Sequence, residues 1–118
     1  MAKKLFITAT GTDVGKTYVS ALIIKKMNES GYECGYYKPV MSGVTELYGN
    51  LIESDANYVI DFAKLNIEPL NCVSYWWKEA LSPHLASSRT NQKIDIDKIK
   101  YDFSINNKKH DYLLIEGA

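Results

Sequence analysis

Cysteine is scarce in this 118-residue chain: Cys34 and Cys72 stand far apart and belong to no C-x-x-C pair. That scarcity argues against a disulfide framework or a structural zinc site and points to reduced thiols in a cytoplasmic protein. Net charge is lacking too, because fourteen basic side chains cancel fourteen acidic ones. No overall field then draws the chain to nucleic acid or to a membrane surface. Long apolar runs are missing as well. Lys3 and Lys4 precede Leu5-Phe6-Ile7, but Thr8 and Thr10 end that stretch too soon for a signal peptide, and nothing reaches the length of a membrane span. Internal repeats and low-complexity segments are absent. At this length one domain with one core is expected, burying roughly two thirds of the unfolded surface.

What is present alternates between strand and helix patterns. Leu5 to Ala9 is a short apolar run ending at a glycine-containing turn, which predicts a buried strand. From Lys16 to Ser30, Val19, Leu22, Ile23 and Met27 recur at helical steps, and Gly31 follows as the expected C-cap. Cys34 to Val40 reads as a second strand, with Lys38 held extended by the following Pro39. Asp55 to Lys64 reads as a helix and Cys72 to Trp76 as a weaker strand. Asp95 can cap a helix running to about Ile105, in which Ile96 and Ile99 share a face, and Tyr112 to Ile115 reads as a buried strand. Such alternation predicts an α/β fold: a parallel sheet with helices on both faces, in a single domain spanning 1–118.

In a parallel sheet all strands end at one edge, so loops remote in sequence converge there. Three polar features fall at such ends: the loop from Gly11 to Thr17, Lys38 after the second strand, and Glu116 after the last. The loop has the chemistry of a phosphate cradle. Gly15 permits close backbone approach, amide groups and the following helix N-terminus face the anion, and Lys16 adds a full positive charge. Thr17 can offer its hydroxyl to Mg²⁺. The strict pattern G-x-x-x-x-G-K-[ST] wants glycine where Thr10 stands, and Gly11, one step on, is the candidate substitute. The bland alternative is a tight strand-to-helix turn, but a G-K-T triplet placed between a buried strand and an amphipathic helix favours nucleotide binding. Mg²⁺ needs only one or two carboxylates besides phosphate. Glu116 either meets that cation or turns out to solvent, and Asp55 either binds metal or caps its own helix. Asp13 is not expected to touch phosphate with its own carboxylate, since like charges repel.

The segments "FITATGTDVGKT", "GYYKPVMSG", "ESDA", "SPHLA" and "LLIEGA" occur in the order and at the spacings of the dethiobiotin synthetases, which this chain closely resembles over nearly its whole length. "YKPVMSG" is the most diagnostic of them, because related P-loop ATPases of chromosome partition and septum placement share the G-K-T loop but not that lysine-proline segment. The resemblance implies a P-loop NTPase-like fold of which these residues are the N-terminal part. It implies an ATP- and Mg²⁺-dependent ligase that inserts CO₂ between the two amino groups of 7,8-diaminopelargonic acid, closing the ureido ring of dethiobiotin. By the same resemblance Lys16 and Lys38 are catalytic, and Asp13, Val14, Gly15, Lys16, Thr17, Tyr18, Asp55, Glu116, Gly117 and Ala118 form the nucleotide-binding set. Thr17, Asp55 and Glu116 would hold the metal, and Ser42, Ser82 and Pro83 would line the diamine pocket. The full-length protein would be a homodimer, with adenine recognition, the main dimer contacts and the substrate-carboxylate site in its second half. Ala9 departs from the family's early glycine, and Gly11 stands where an acidic residue is common.

Two other functional classes share these motifs: a partition-type ATPase switch, and a non-catalytic nucleotide-binding module. Of the remaining residues, His84 sits in "SPH" and either makes a local hydrogen bond at a helix start or borders the substrate, while His110 reads as a solvated loop residue. Trp76 and Trp77, with nine tyrosines, read as aromatic packing or a dimer surface. A base-stacking platform is not expected without a basic stripe.

Overall fold

A three-stranded parallel sheet organises the chain, in a computed structural model that describes residues 3–7, 15–79 and 93–117. Its strands are β1 (Lys3–Ile7), β2 (Cys34–Tyr37) and β7 (Tyr112–Glu116), in the order β1-β7-β2. The last strand in sequence is thus the central one. Leu5 pairs with Leu114 on one side of β7 and Tyr36 pairs with Leu114 on the other, so all three strands run toward the same edge.

Three α-helices are described: α1 (Gly15–Glu29), α2 (Asp55–Ala63) and α3 (Ile96–Lys109). The period of two along β7 assigns them to faces. Leu114 packs with Tyr36 and with Ala21 and Ile24 of α1, in a core that also takes Ala56 and Val59 of α2. Its neighbour Leu113 points the other way and packs with Tyr37, against which Phe103 of α3 sits. Helices therefore cover both faces, as the alternating sequence pattern implies.

Local chemistry sets the element ends. Helix α1 closes through the amide of Tyr32 bonded to Met27 O and that of Gly31 bonded to Asn28 O, with Gly31 at φ +88. This is the left-handed stop that glycine makes possible. The buried face of α1 differs from its apolar spacing: Thr17, Ser20, Ala21 and Ile24 are buried, while Val19 is exposed. Small side chains let the helix axis approach the sheet, and that outweighs the apolar count. Ser54, not Asp55, caps α2, its hydroxyl accepting from the Asn57 amide. Asp95 caps α3 as expected, but the helix runs on to Lys109, and Ile96 is exposed while Ile99 packs inward.

The expected strand from Cys34 to Val40 breaks in two. β2 ends at Tyr37, the Lys38 amide turns to Cys72 O at 2.8 Å, and β3 (Val40–Met41) pairs instead with β6 (Tyr75–Trp76). Pro39 has no amide with which to continue the first ladder, so the chain changes sheets there. The weaker strand predicted from Cys72 likewise starts late, because Pro69–Cys72 forms a 3₁₀ turn. A hairpin of β4 (Thr45–Leu47) and β5 (Asn50–Glu53) had no expectation attached to it. Its turn puts Tyr48 and Gly49 at φ 52 and 82, the twist a two-residue hairpin needs. Tyr75 and Trp77 are buried with their rings stacked, so this pair is core packing rather than surface.

Candidate functional site

Lys38, Asp55, Glu116 and Thr17 come from four separated stretches of chain and meet at the strand-end edge of the sheet. Glu116 closes β7, Lys38 follows β2 immediately, Asp55 opens α2, and Thr17 lies in the first turn of α1. The Lys38 ammonium sits 2.8 Å from Asp55 Oδ2 and 2.7 Å from Glu116 Oε2. Thr17 Oγ1 donates to the same Glu116 oxygen at 3.1 Å.

Burial makes this cluster expensive unless its charges are matched. Glu116 is 0 % exposed and the Lys38 side chain 8 %, whereas the Asp55 side chain is 43 % exposed. An isolated carboxylate at the position of Glu116 would lose several kcal/mol of hydration, a cost that the ammonium and hydroxyl beside it offset. Burial acts most strongly on Lys38 and opposes its charge. Hydrogen bonds to Asp55 and Glu116 and the fields of the two carboxylates together outweigh it, and the amine ends above its ordinary value. Lys38 is therefore a fixed cation at neutral pH rather than a proton donor or acceptor.

The remaining expected site residues fall into three groups. Gly15 and Lys16 open α1, with Lys16 buried beside Thr17 in the first turn, and Gly117 follows β7 directly. Tyr18 and Ser42 are exposed: Tyr18 packs edge-on against Phe62 of α2, and Ser42 lies just past β3. Asp13, Val14, Ser82, Pro83, His84 and Ala118 lie outside the described residues, as do Ala9, Thr10 and Gly11 of the loop. His110 is not the solvated loop residue its sequence context suggests. Its side chain is 9 % exposed, its Nδ1 contacts Glu33, and its ring covers Gly35, where a Cβ would overlap it. Two cavities, of about 270 and 320 Å³, lie between the Pro69–Cys72 turn and α3, and neither Lys38 nor Glu116 lines them.

The oxygen set suits a magnesium ion. Thr17 offers a hydroxyl, Asp55 and Glu116 offer carboxylates, and Glu116 Oε1 is fully buried with no hydrogen-bond partner among the described residues. Among the described residues no group of three or more His, Cys, Asp or Glu side chains could form an all-protein metal cage. Two carboxylates and a hydroxyl fit a cation that completes its shell with phosphate and water. Tyr36 escaped motif reasoning, yet it is fully buried beneath the cluster. Its signal was simple: it stands two residues before Lys38 in a strand and so shares its face.

Comparison with known proteins extends this geometry. The family described as "AAA domain" matches residues 3–118. The chain is 51 % identical over all its 118 residues to "ATP-dependent dethiobiotin synthetase BioD" of Clostridium botulinum strain 657 / Type Ba4. It is 52 % identical to the protein of that name from strain Loch Maree / Type A3, and 48 % to that from strain Eklund 17B / Type B. In each case the matched region is 52 % of the relative, so the chain spans about half the length of the curated relatives it matches.

Proposed function

The chain belongs to the AAA domain family of P-loop proteins, and from that premise we propose that it is the ATP-binding part of a dethiobiotin synthetase. The observation that carries this reading is the Lys38 clasp: one buried ammonium held between Asp55 and Glu116, with Thr17 on the shared oxygen. The names of the similar proteins supply the reaction class. The proposed substrates are ATP, CO₂ or bicarbonate, and 7,8-diaminopelargonic acid, in a cytoplasmic enzyme of biotin synthesis that works as a homodimer.

The proposed chemistry asks for positive charge rather than a protein nucleophile. One amine of the diamine adds to CO₂ and releases a proton, giving a carbamate. A carbamate oxygen then attacks the γ-phosphorus of ATP and displaces ADP. The second amine attacks the resulting carbonyl, closes the ureido ring and expels phosphate. Every intermediate is anionic. Lys16, at the N-terminus of α1, would hold the phosphates, and Lys38 would hold developing charge between phosphate and carbamate. Thr17, Asp55 and Glu116 would hold Mg²⁺, which when bound neutralises phosphate charge. Gly15 and the preceding Asp13 and Val14 would cradle phosphate with Tyr18, Gly117 and Ala118 beside them, and Ser42, Ser82 and Pro83 would border the diamine.

The decisive measurement is ATP-dependent incorporation of labelled bicarbonate with and without the diamine. Diamine-dependent label in product supports the reading. ATP hydrolysis that responds to DNA or membrane but not to diamine replaces it with the partition-type switch, and absence of Mg²⁺-ATP binding removes both.

A further inference from the structure

Two fully buried polar atoms beside the Lys38 clasp have no hydrogen-bond partner among the described residues: Glu116 Oε1 and the Tyr36 hydroxyl. Both belong to one face of the sheet. Tyr36 pairs with Leu114, which stands two residues before Glu116 on β7, and Lys38 stands two residues after Tyr36. Tyr36, Leu114 and Glu116 thus share the α1-covered face, and the Lys38 ammonium reaches the same carboxylate from just beyond β2. Tyr37 alternates away, and its hydroxyl meets Ser74 Oγ and Ile99 O against α3.

Glu116 is held on one oxygen only. Oε2 accepts from both Thr17 and Lys38, while Oε1 accepts from nothing. A carboxylate gripped at one oxygen can still turn about its terminal torsion, and a buried hydroxyl left unpaired costs stability.

We propose that the Tyr36 hydroxyl is the positioning group for Glu116: unpaired here, it donates to Oε1 once a cation engages the carboxylate, and so fixes the orientation in which Oε2 faces Thr17, Lys38 and that cation. The proposal rests on the reading of this cluster as a magnesium and nucleotide site. A phenol hydroxyl can only donate toward a carboxylate oxygen. A purely packing role would need the ring and not the oxygen.

Tyr36→Phe separates the two, since it keeps the ring volume and removes only the hydroxyl. Tyr37→Phe is the matched control, because it deletes a buried hydroxyl from the same strand on the opposite face. Calorimetric titration of the full chain with Mg²⁺ at saturating ATP, paired with thermal melting, gives the readout. Tyr36→Phe is expected to weaken the magnesium-dependent affinity about tenfold, the loss of one hydrogen bond to a charged group, with the melting midpoint of the unliganded chain at or above that of the parent. Tyr37→Phe is expected to lower the midpoint and leave the affinity alone. Unchanged affinity in Tyr36→Phe, or equal losses in both variants, overturns the Tyr36 assignment and leaves the site reading intact. A parent chain that binds no Mg²⁺-ATP overturns the site reading and this proposal together.

Discussion

At the scale of single residues, the burial of Glu116 determines what its neighbours can be. Lys38→Ala removes the one cation that contacts that carboxylate among the described residues and so carries two expected consequences. Turnover in the bicarbonate assay should fall by about two to three orders of magnitude while much of the ATP affinity remains, as for loss of one preorganised charge contact. Stability of the unliganded chain should also fall, by about 3–5 kcal/mol in denaturant titration, because an unpaired buried charge is left behind. Adding Glu116→Gln should restore most of that stability and none of the turnover. A second residue-scale effect is alkaline. Burial lifts the Cys34 thiol from 9.0 to about 11. A raised folded value means the unfolded thiol ionises first, so stability present below pH 9 is lost as pH rises toward 11, on the order of 2–3 kcal/mol. Denaturation midpoints measured across that window should decline less steeply in Cys34→Ala. Cys72, lifted to about 12 by burial, extends the same trend to higher pH.

At the scale of elements, the start of β7 is pinned to the start of β2 by one small clasp. Glu33 accepts from the Asp111 amide through Oε1 and meets His110 through Oε2, and the imidazole fills the space a Cβ at Gly35 would need. Glycine is required there because of the close approach of the ring rather than any unusual backbone angle. Gly35→Ala should displace His110, break its contact with Glu33 and cost about 1–3 kcal/mol, as overpacked sites do. Thermal melting of Gly35→Ala against His110→Ala tests this: if the ring is the obstacle, the alanine at position 35 should be far better tolerated once His110 is gone. Neither feature was legible beforehand, since a histidine after two lysines looks solvated until a strand on the other side of the chain is brought against it. The hairpin at 45–53 is a different kind of miss. Tyr48-Gly49-Asn50 contains turn chemistry, but three- and four-residue strands give too few alternations to register as a period. The α2 cap shows the opposite case. With Ser54 supplying the cap, Asp55 is released to face Lys38, a division of labour between adjacent residues that sequence left open.

At the scale of the whole molecule, β1, expected to be a buried strand, is an edge strand among the described residues, with Leu5 and Phe6 41 % and 62 % exposed. An open parallel edge with apolar side chains invites pairing with further chain. The 118 residues by themselves should therefore self-associate as concentration rises, and Phe6→Lys should lower that tendency in sedimentation velocity; identical behaviour of the two would show that β1 is not the surface involved. The sequence by itself determined the alternation of strand and helix, and with it a parallel sheet whose strand ends gather Lys16, Lys38 and Glu116 at one rim. Those features are periodic or motif-bound, and neighbouring residues suffice to fix them. Only the tertiary structure decided that β7 lies at the centre, that Pro39 sends the chain into a second sheet, and that Lys38 bridges Asp55 and Glu116 above a buried Tyr36. Such facts depend on which remote segments share a face and on what burial demands of each charge, and no local spacing encodes either.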